Sequence, residues 1–271
     1  MHQEIQICNK YITGTSLVNL GLEYFGNKNQ YYKIKQILSK NNISIRTASQ
    51  RNSTYDINCN YFNNIDTEEK AYMLGFLYAD GSNVKNTITL SLKANDIDIL
   101  YKFQTLLKSN RPIKIYKNNH LSSYARLTIQ NDHLIKCLSN YGVTERKTFT
   151  ITYPTFLPIH LDKAFIRGYF DGDGGFKLTK KLNRYNICIT SNQEFCNELQ
   201  NKIYHHTGIM MHIYAAPAIT DNRIKRLEIG GNKQVLTISN WLYNGATIYL
   251  DRKYQKYKNL QNNPLSFKHP K

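Results

Sequence analysis

Three aspartates could do chemistry in a chain whose other charges are mostly positive. Asp171 and Asp173 sit in "AFIRGYFDGDGGF", residues 164–176, and Asp80 sits in "MLGFLYADG", residues 73–81. An offset of 93 residues matches Gly75 with Gly168, Ala79 with Gly172, Asp80 with Asp173 and Gly81 with Gly174. Asp171 then faces Tyr78, so only the second acid of "DGD" occurs in both copies. Three readings compete: a calcium loop, carboxylates that hold a catalytic metal, and ordinary helix stops. A helix–loop–helix calcium site closes on a glutamate, whereas "DGDGGFKLTKKL" closes on Leu182. A lone Asp-Gly ends many helices, but two in register favour the metal reading. Hard carboxylate oxygens suit Mg²⁺, which takes one or two of them and completes its shell with water and phosphate oxygens.

Helices must present those acids. Gly75 and Ala79 share a helix face, as do Gly168 and Gly172. A glycine inside a helix costs about 1 kcal/mol against alanine. Its retention in both copies predicts two helices packed backbone to backbone. Asp80 and Asp173 then stand in the last turns of adjoining helices, where the helix dipole already disfavours negative charge. A bound cation would reverse that sign.

Around these acids the chain is basic: 36 Lys and Arg against 19 Asp and Glu in 271 residues, a formal charge of +17. That balance points to a polyanion, nucleic acid before an anionic membrane. No apolar run of about 18 residues suggests a membrane span, and the N-terminus lacks a secretion signal. A cytoplasmic or organelle compartment holding DNA is therefore expected. The five cysteines are scattered without a C-x-x-C pair, which argues against a disulfide framework or a zinc ribbon. His205 and His206 are adjacent and point apart on a helix, so they read as surface or phosphate contacts.

Residues 1–50 read as a small helical domain. Leu17, Leu20 and Tyr24 form one apolar stripe, Gly26 and Asn27 break it, and Tyr31, Ile34, Ile37 and Leu38 form a second. Two short helices with Lys28, Lys33 and Lys35 on or beside the second make a helix-turn-helix DNA-binding expectation. Residues 51–65 read as a linker, with Arg46 and Arg51 as candidate groove contacts. A capping box follows, with Asp66 as N-cap and Glu69 three residues on. Helix and strand signals then run through 66–155 and recur in the same order through 156–262, an internal duplication.

Both acid stretches resemble the LAGLIDADG motif of homing endonucleases, present twice as in the single-chain members, and the N-terminal stretch is similar to that of freestanding members with an added helix-turn-helix. The resemblance covers roughly residues 66–260. It implies an α+β fold of two pseudo-symmetric αββαββα halves, saddle-shaped antiparallel sheets over DNA, and the motif helices as the seam. Asp80 and Asp173 would be the essential metal ligands, with Gly81 and Gly174 beside them, and Asp171 an optional neighbour. Arg167 departs from the motif's usual small residue and reads as a helix-flank variation. "ERK" at 145–147 and "DRK" at 251–253 end the two halves. Members of the family carry a lysine near the active site after each unit, which makes Lys147 and Lys253 catalytic candidates. Lys93 and Asn192 are weaker candidates for positioning water.

The implied activity is Mg²⁺-dependent hydrolysis of both DNA strands with a staggered cut, by a monomer without an obligatory protein partner, in the service of a mobile element. Candidate DNA contacts on the strands are Asn83, Lys85, Lys93, Lys177, Lys181, Arg184, Arg223 and Lys225, with Thr87, Thr89 and Thr179. The competing readings are a non-cleaving binder on the same scaffold, either an RNA maturase with RNA as partner or a transcription regulator, and a helix-turn-helix regulator whose remaining chain senses a ligand. An intein is disfavoured, because no splicing residues flank Met1 or the terminal "FKHPK".

Overall fold

Local signals build the first three helices. In the computed structural model, which describes residues 2–12, 15–46, 55–117, 123–179, 184–216 and 221–262, α1 (His2–Ile12), α2 (Leu17–Phe25) and α3 (Tyr31–Lys40) gather Ile7, Tyr11, Leu17, Leu20, Ile34 and Leu38 into one small core. The Ser16 side chain accepts from the Asn19 amide to start α2, and Gly26 ends it at φ 67°, a left-handed conformation that glycine adopts without strain. The chain divides into two compact units, Met1–Thr54 and Tyr55–Lys271.

In the second unit, α4 (Glu68–Asp80) runs directly into β1 (Gly81–Val84), which turns back into β2 (Thr87–Lys93). The turn is Lys85-Asn86, with both residues at positive φ (48° and 55°), the geometry of a tight two-residue hairpin. α5 (Ile97–Leu106), β3 (Lys114–Lys117), β4 (Ser123–Ile129) and α6 (Asp132–Asn140) complete the first half. The order recurs as α7 (Asp162–Asp173), β5 (Gly174–Thr179), β6 (Arg184–Asn192), α8 (Gln193–Thr207), β7 (His212–Ala215), β8 (Ile224–Gly230) and α9 (Asn232–Tyr243), and α10 (Asp251–Asn262) follows. Each half holds one antiparallel sheet, ordered β1-β2-β4-β3 and β5-β6-β8-β7. The fold is thus the α+β pair of αββαββα halves. None of the helices among the described residues is long and apolar enough to cross a membrane.

Three details differ from the sequence reading. The cap of α4 is Thr67, whose Oγ1 accepts from the Lys70 amide at 3.3 Å, while Asp66 pairs with Lys70 at 2.7 Å instead. The strands that open the sheets begin on the glycine that follows each motif aspartate; β1 alternates buried and exposed residues so that Asn83, expected to contact DNA, faces inward, whereas β5 does not alternate. Finally, part of the expected linker belongs to the second unit. Phe62 is fully buried in its core, and the Asn58 amide donates to Leu107 O at 2.8 Å.

One continuous core runs through both halves, and α4 against α7 is its most extensive helix pairing. A Cβ on Gly75 would stand 2.0 Å from Phe165 O, and one on Gly168 would stand 2.0 Å from Tyr72 O. The reciprocity is that of a pseudo-twofold axis, since Tyr72 and Phe165 occupy matched positions. Further along, a Cβ on Gly172 would stand 2.3 Å from the Ala79 Cβ. Overpacking a core costs about 1–3 kcal/mol, and here the obstacle is backbone. Gly168→Ala should therefore lower the unfolding free energy by at least that much, read as a fall in the denaturation midpoint. Gly172→Ala should also destabilise, and adding Ala79→Gly should restore part of the loss. A double variant no more stable than Gly172→Ala alone would contradict this close approach.

Candidate active site

Both aspartates of the matched pair end their helices at the seam. Asp80 closes α4 and Asp173 closes α7, and each is followed at once by a strand. Asp80 lines a groove with Ser82, Val84, Thr87, Thr89, Ser91 and Arg126, side chains on the outer face of the first sheet. Burial pushes the Asp80 carboxyl above its usual range, opposed by the positive charges of Lys253 and Lys147. Asp173 is pushed up to about 6, first by the protein packed around it and then by the negative charge of Asp80. Its side chain stays exposed to solvent, which screens part of that penalty. Asp173 thus feels the charge of Asp80 at the junction of two sheets.

Lys147 and Lys253 take symmetric places behind the acids. Lys147 Nζ donates to Gly81 O, and at 3.5 Å to Ala79 O. Lys253 Nζ donates to Phe170 O (2.5 Å), Asp171 O (2.8 Å) and Gly174 O (2.6 Å). They are 8% and 2% exposed. A cation at a helix C-terminus satisfies carbonyls left over by the helix and complements its dipole. Burial lowers both ammonium pKa values, that of Lys253 to about 8, while the nearby aspartates pull them back up. These ammonium groups hold the helix–strand turn that carries each acid, which is where the two catalytic candidates lie in the fold. The carbonyls of Gly81 and Gly174 each accept one of these ammonium groups and keep a second lone pair.

Asp171 is not optional. It is fully buried and accepts from Tyr72 Oη (2.7 Å), Tyr243 Oη (2.5 Å) and the Leu250 amide (2.8 Å). Tyr72 belongs to the other motif helix, so this carboxylate bolts the seam. Arg167 does likewise. Also fully buried, it donates to Ile248 O and Leu242 O at 2.9 Å each and to Glu68 Oε1 at 2.5 Å. A helix-flank variation is therefore the wrong description of it.

The expected DNA contacts divide. Thr87 and Thr89 line the first groove. Lys177 is exposed on β5, Lys93 at the end of β2 and Lys85 at the hairpin tip; Arg184, also exposed, opens β6. Asn83 faces inward instead, donating to Val143 O at 2.9 Å. Lys225 lies opposite buried Ser191, on the core side of its strand. Arg223 is held by Asp221 at 2.6 Å and covers the Phe149 ring. Asn192 caps α8 and is buried. His206 stacks on Trp241 and reaches the buried Asp162 at 3.3 Å, which makes it part of the packing. In the first unit Lys28, Lys33 and Lys35 are exposed, while Arg46 folds over Tyr11 and donates to Thr15 O. Arg51 and Lys181 lie outside the described residues. Sequence reading missed Ser82, Ser91, Arg126, Arg226 and Glu228; the parity of Ser82 becomes readable once β1 is started at Gly81, and that of the others only from the pairing of β2 with β4 and of β6 with β8.

Without a cation the acids oppose folding. The folded pKa of Asp173 lies above its ordinary value of 3.8. The native state thus holds an extra proton between about pH 4 and 6, and stability falls as pH rises through that window. In chelator, Asp173→Asn should raise the melting temperature at pH 7, with the gain shrinking toward pH 4. A gain independent of pH would argue against the coupled acid pair.

Residues 160–240 match the family model described as a LAGLIDADG-like domain. The replication factor C small subunit of Methanocaldococcus jannaschii is 25% identical over 167 residues, 55% of this chain and 9% of that protein, so the chain spans about a tenth of that relative's length. Similar solved structures include the LAGLIDADG homing endonuclease I-LtrWI bound to target DNA, with 13% identity, TM-score 0.47, and coverage of 76% of this chain and 91% of that one. Another is I-SmaMI bound to uncleaved DNA target in the presence of calcium ions, at 13% identity and TM-score 0.46, covering 72% and 92%. Residues 160–240 thus match a LAGLIDADG-like domain, and the first half repeats the element order of that segment.

Proposed function

We propose that this chain is a site-specific, divalent-cation-dependent DNA endonuclease that makes a staggered double-strand break. The observation that carries the reading is the placement of Asp80 and Asp173, one from each half, at the seam where two polar sheet faces begin. One acid per half suits two scissile phosphates on opposite strands. The donor set fits a hard divalent cation: two carboxylates that raise each other's energy, with room for water and phosphate oxygens to complete the shell. Mg²⁺ is the expected ion. When bound, it would polarise the scissile phosphate and lower the pKa of an attacking water.

The chain's own residues supply the rest. Asp80 and Asp173 hold negative charge at fixed points, because Lys147 and Lys253 lock the turns that carry them. Outward Ser, Thr, Lys and Arg side chains on the two sheets offer hydrogen bonds to base edges in a major groove. The net positive charge draws the phosphate backbone. The exposed lysines of the N-terminal unit add a separate helix-turn-helix contact to the same duplex.

Asp80→Asn and Asp173→Asn should each abolish double-strand cleavage in Mg²⁺ while gel retardation still reports DNA binding. Undiminished cleavage in both variants would remove the metal-ligand assignment. Deleting residues 1–50 should weaken target affinity more than it slows single-turnover cleavage at saturating enzyme. Loss of the single-turnover rate itself would show that the first unit is not a separate binding module.

A further inference from the structure

Two arginines occupy equivalent places on the two sheets. Gly81 pairs with Leu90, and Gly174 pairs with Ile189. One residue further along the inner strands, Ser91 faces Arg126 and Thr190 faces Arg226. Both arginines point outward on β4 and β8, strands that lie inside their sheets, where the floor of a DNA-binding face would be. Their surroundings differ. Arg126 lies over the stacked rings of Tyr116 and Tyr124, at 5.0 and 5.6 Å, and its Nε donates to Ser91 Oγ at 3.0 Å. No carboxylate is within ion-pair distance of it among the described residues. Arg226 has Glu228 Oε2 at 2.8 Å, and Glu228 Oε1 accepts from Asn186 Nδ2 at 2.8 Å. The residue matching Glu228 in the first sheet is Thr128, which carries no charge.

We infer that Arg126 is a specificity-determining residue that reads one guanine in the half-site under the first sheet, and that Glu228 withholds Arg226 from the mirrored position. The inference rests on double-stranded DNA being the ligand of the two sheets, as proposed above. A guanidinium fork matches guanine O6 and N7 in the major groove. Stacking on two tyrosines and the bond to Ser91 fix that fork before DNA arrives, which limits the entropy lost on binding. Arg126 stands two strand spacings, about 10 Å, from β1, the strand that Asp80 leads into. The target is then asymmetric at matched positions, although the scaffold is pseudo-symmetric.

The test is binding selection by the full chain from randomised duplexes, followed by affinities for every single-base variant of the selected site. The wild type should discriminate for guanine by about 10–100-fold at one position near the centre of one half-site, and not at its mirror. Arg126→Ala and Arg126→Lys should both flatten that position alone, with the lysine variant keeping the salt dependence of a phosphate-attracting charge. Glu228→Gln should create a guanine preference at the mirrored position. A uniform loss across all variants for Arg126→Ala, or an unchanged preference, would overturn the inference, as would selection of no sequence at all. Because the readout is binding, absence of cleavage would instead overturn the endonuclease reading alone.

Discussion

Everything in the second unit depends on how closely α4 and α7 approach. Two glycines place backbone against backbone, with no room for a Cβ on either side. That contact fixes the separation of the helix ends, and the helix ends carry Asp80 and Asp173. The strands that follow inherit the same origin, so both sheets are positioned from one point. A wider seam would separate the acids and splay the sheets together. Rigid elements are the better platform for a site that must be set to a fraction of an ångström.

The electrostatics show a stability cost accepted at the site. Helix C-termini are poor places for carboxylates, and two such ends meet here. Lys147 and Lys253 offset this from behind by binding the carbonyls of each turn, leaving the carboxylates turned outward. Asp171 and Arg167 have a different task, since each is satisfied by the protein on every side. Burial alone does not separate these roles, but the hydrogen-bond partners do: the structural charges are fully bonded inward, and the pair at the seam is not.

Much of this was legible in the sequence. The duplication, the small-residue face and the matched acids identified the seam and Asp80 with Asp173, because helix periodicity is encoded locally. Sheet faces were harder. The sequence suggests Asn83 as an outward residue, but it is buried, because β1 begins on Gly81 and its parity is set by pairing with β2. Arg126 was missed for a similar reason: only the register across β2, β3 and β4 brings Ser91, Tyr116 and Tyr124 around it. Asp171 and Arg167 were misjudged because their partners lie far along the chain, in Tyr72, Tyr243, Glu68 and the segment near Leu250.

The seam bolts also determine which half can pair with which. Arg167 and Asp171 have Leu74 and Tyr78 at the matched positions of the first half, and their partners Glu68 and Tyr72 have Leu161 and Phe165 at the matched positions of the second. If two copies of the second half met through α7, each Arg167 would lose its carboxylate and each Asp171 a hydroxyl, leaving buried charge underpaired at a cost of several kcal/mol. A duplicated half that once could pair with itself is thereby committed to its sister. The buried polar side chains act as a lock on partner choice, and the two halves are free to diverge in what they read without losing each other.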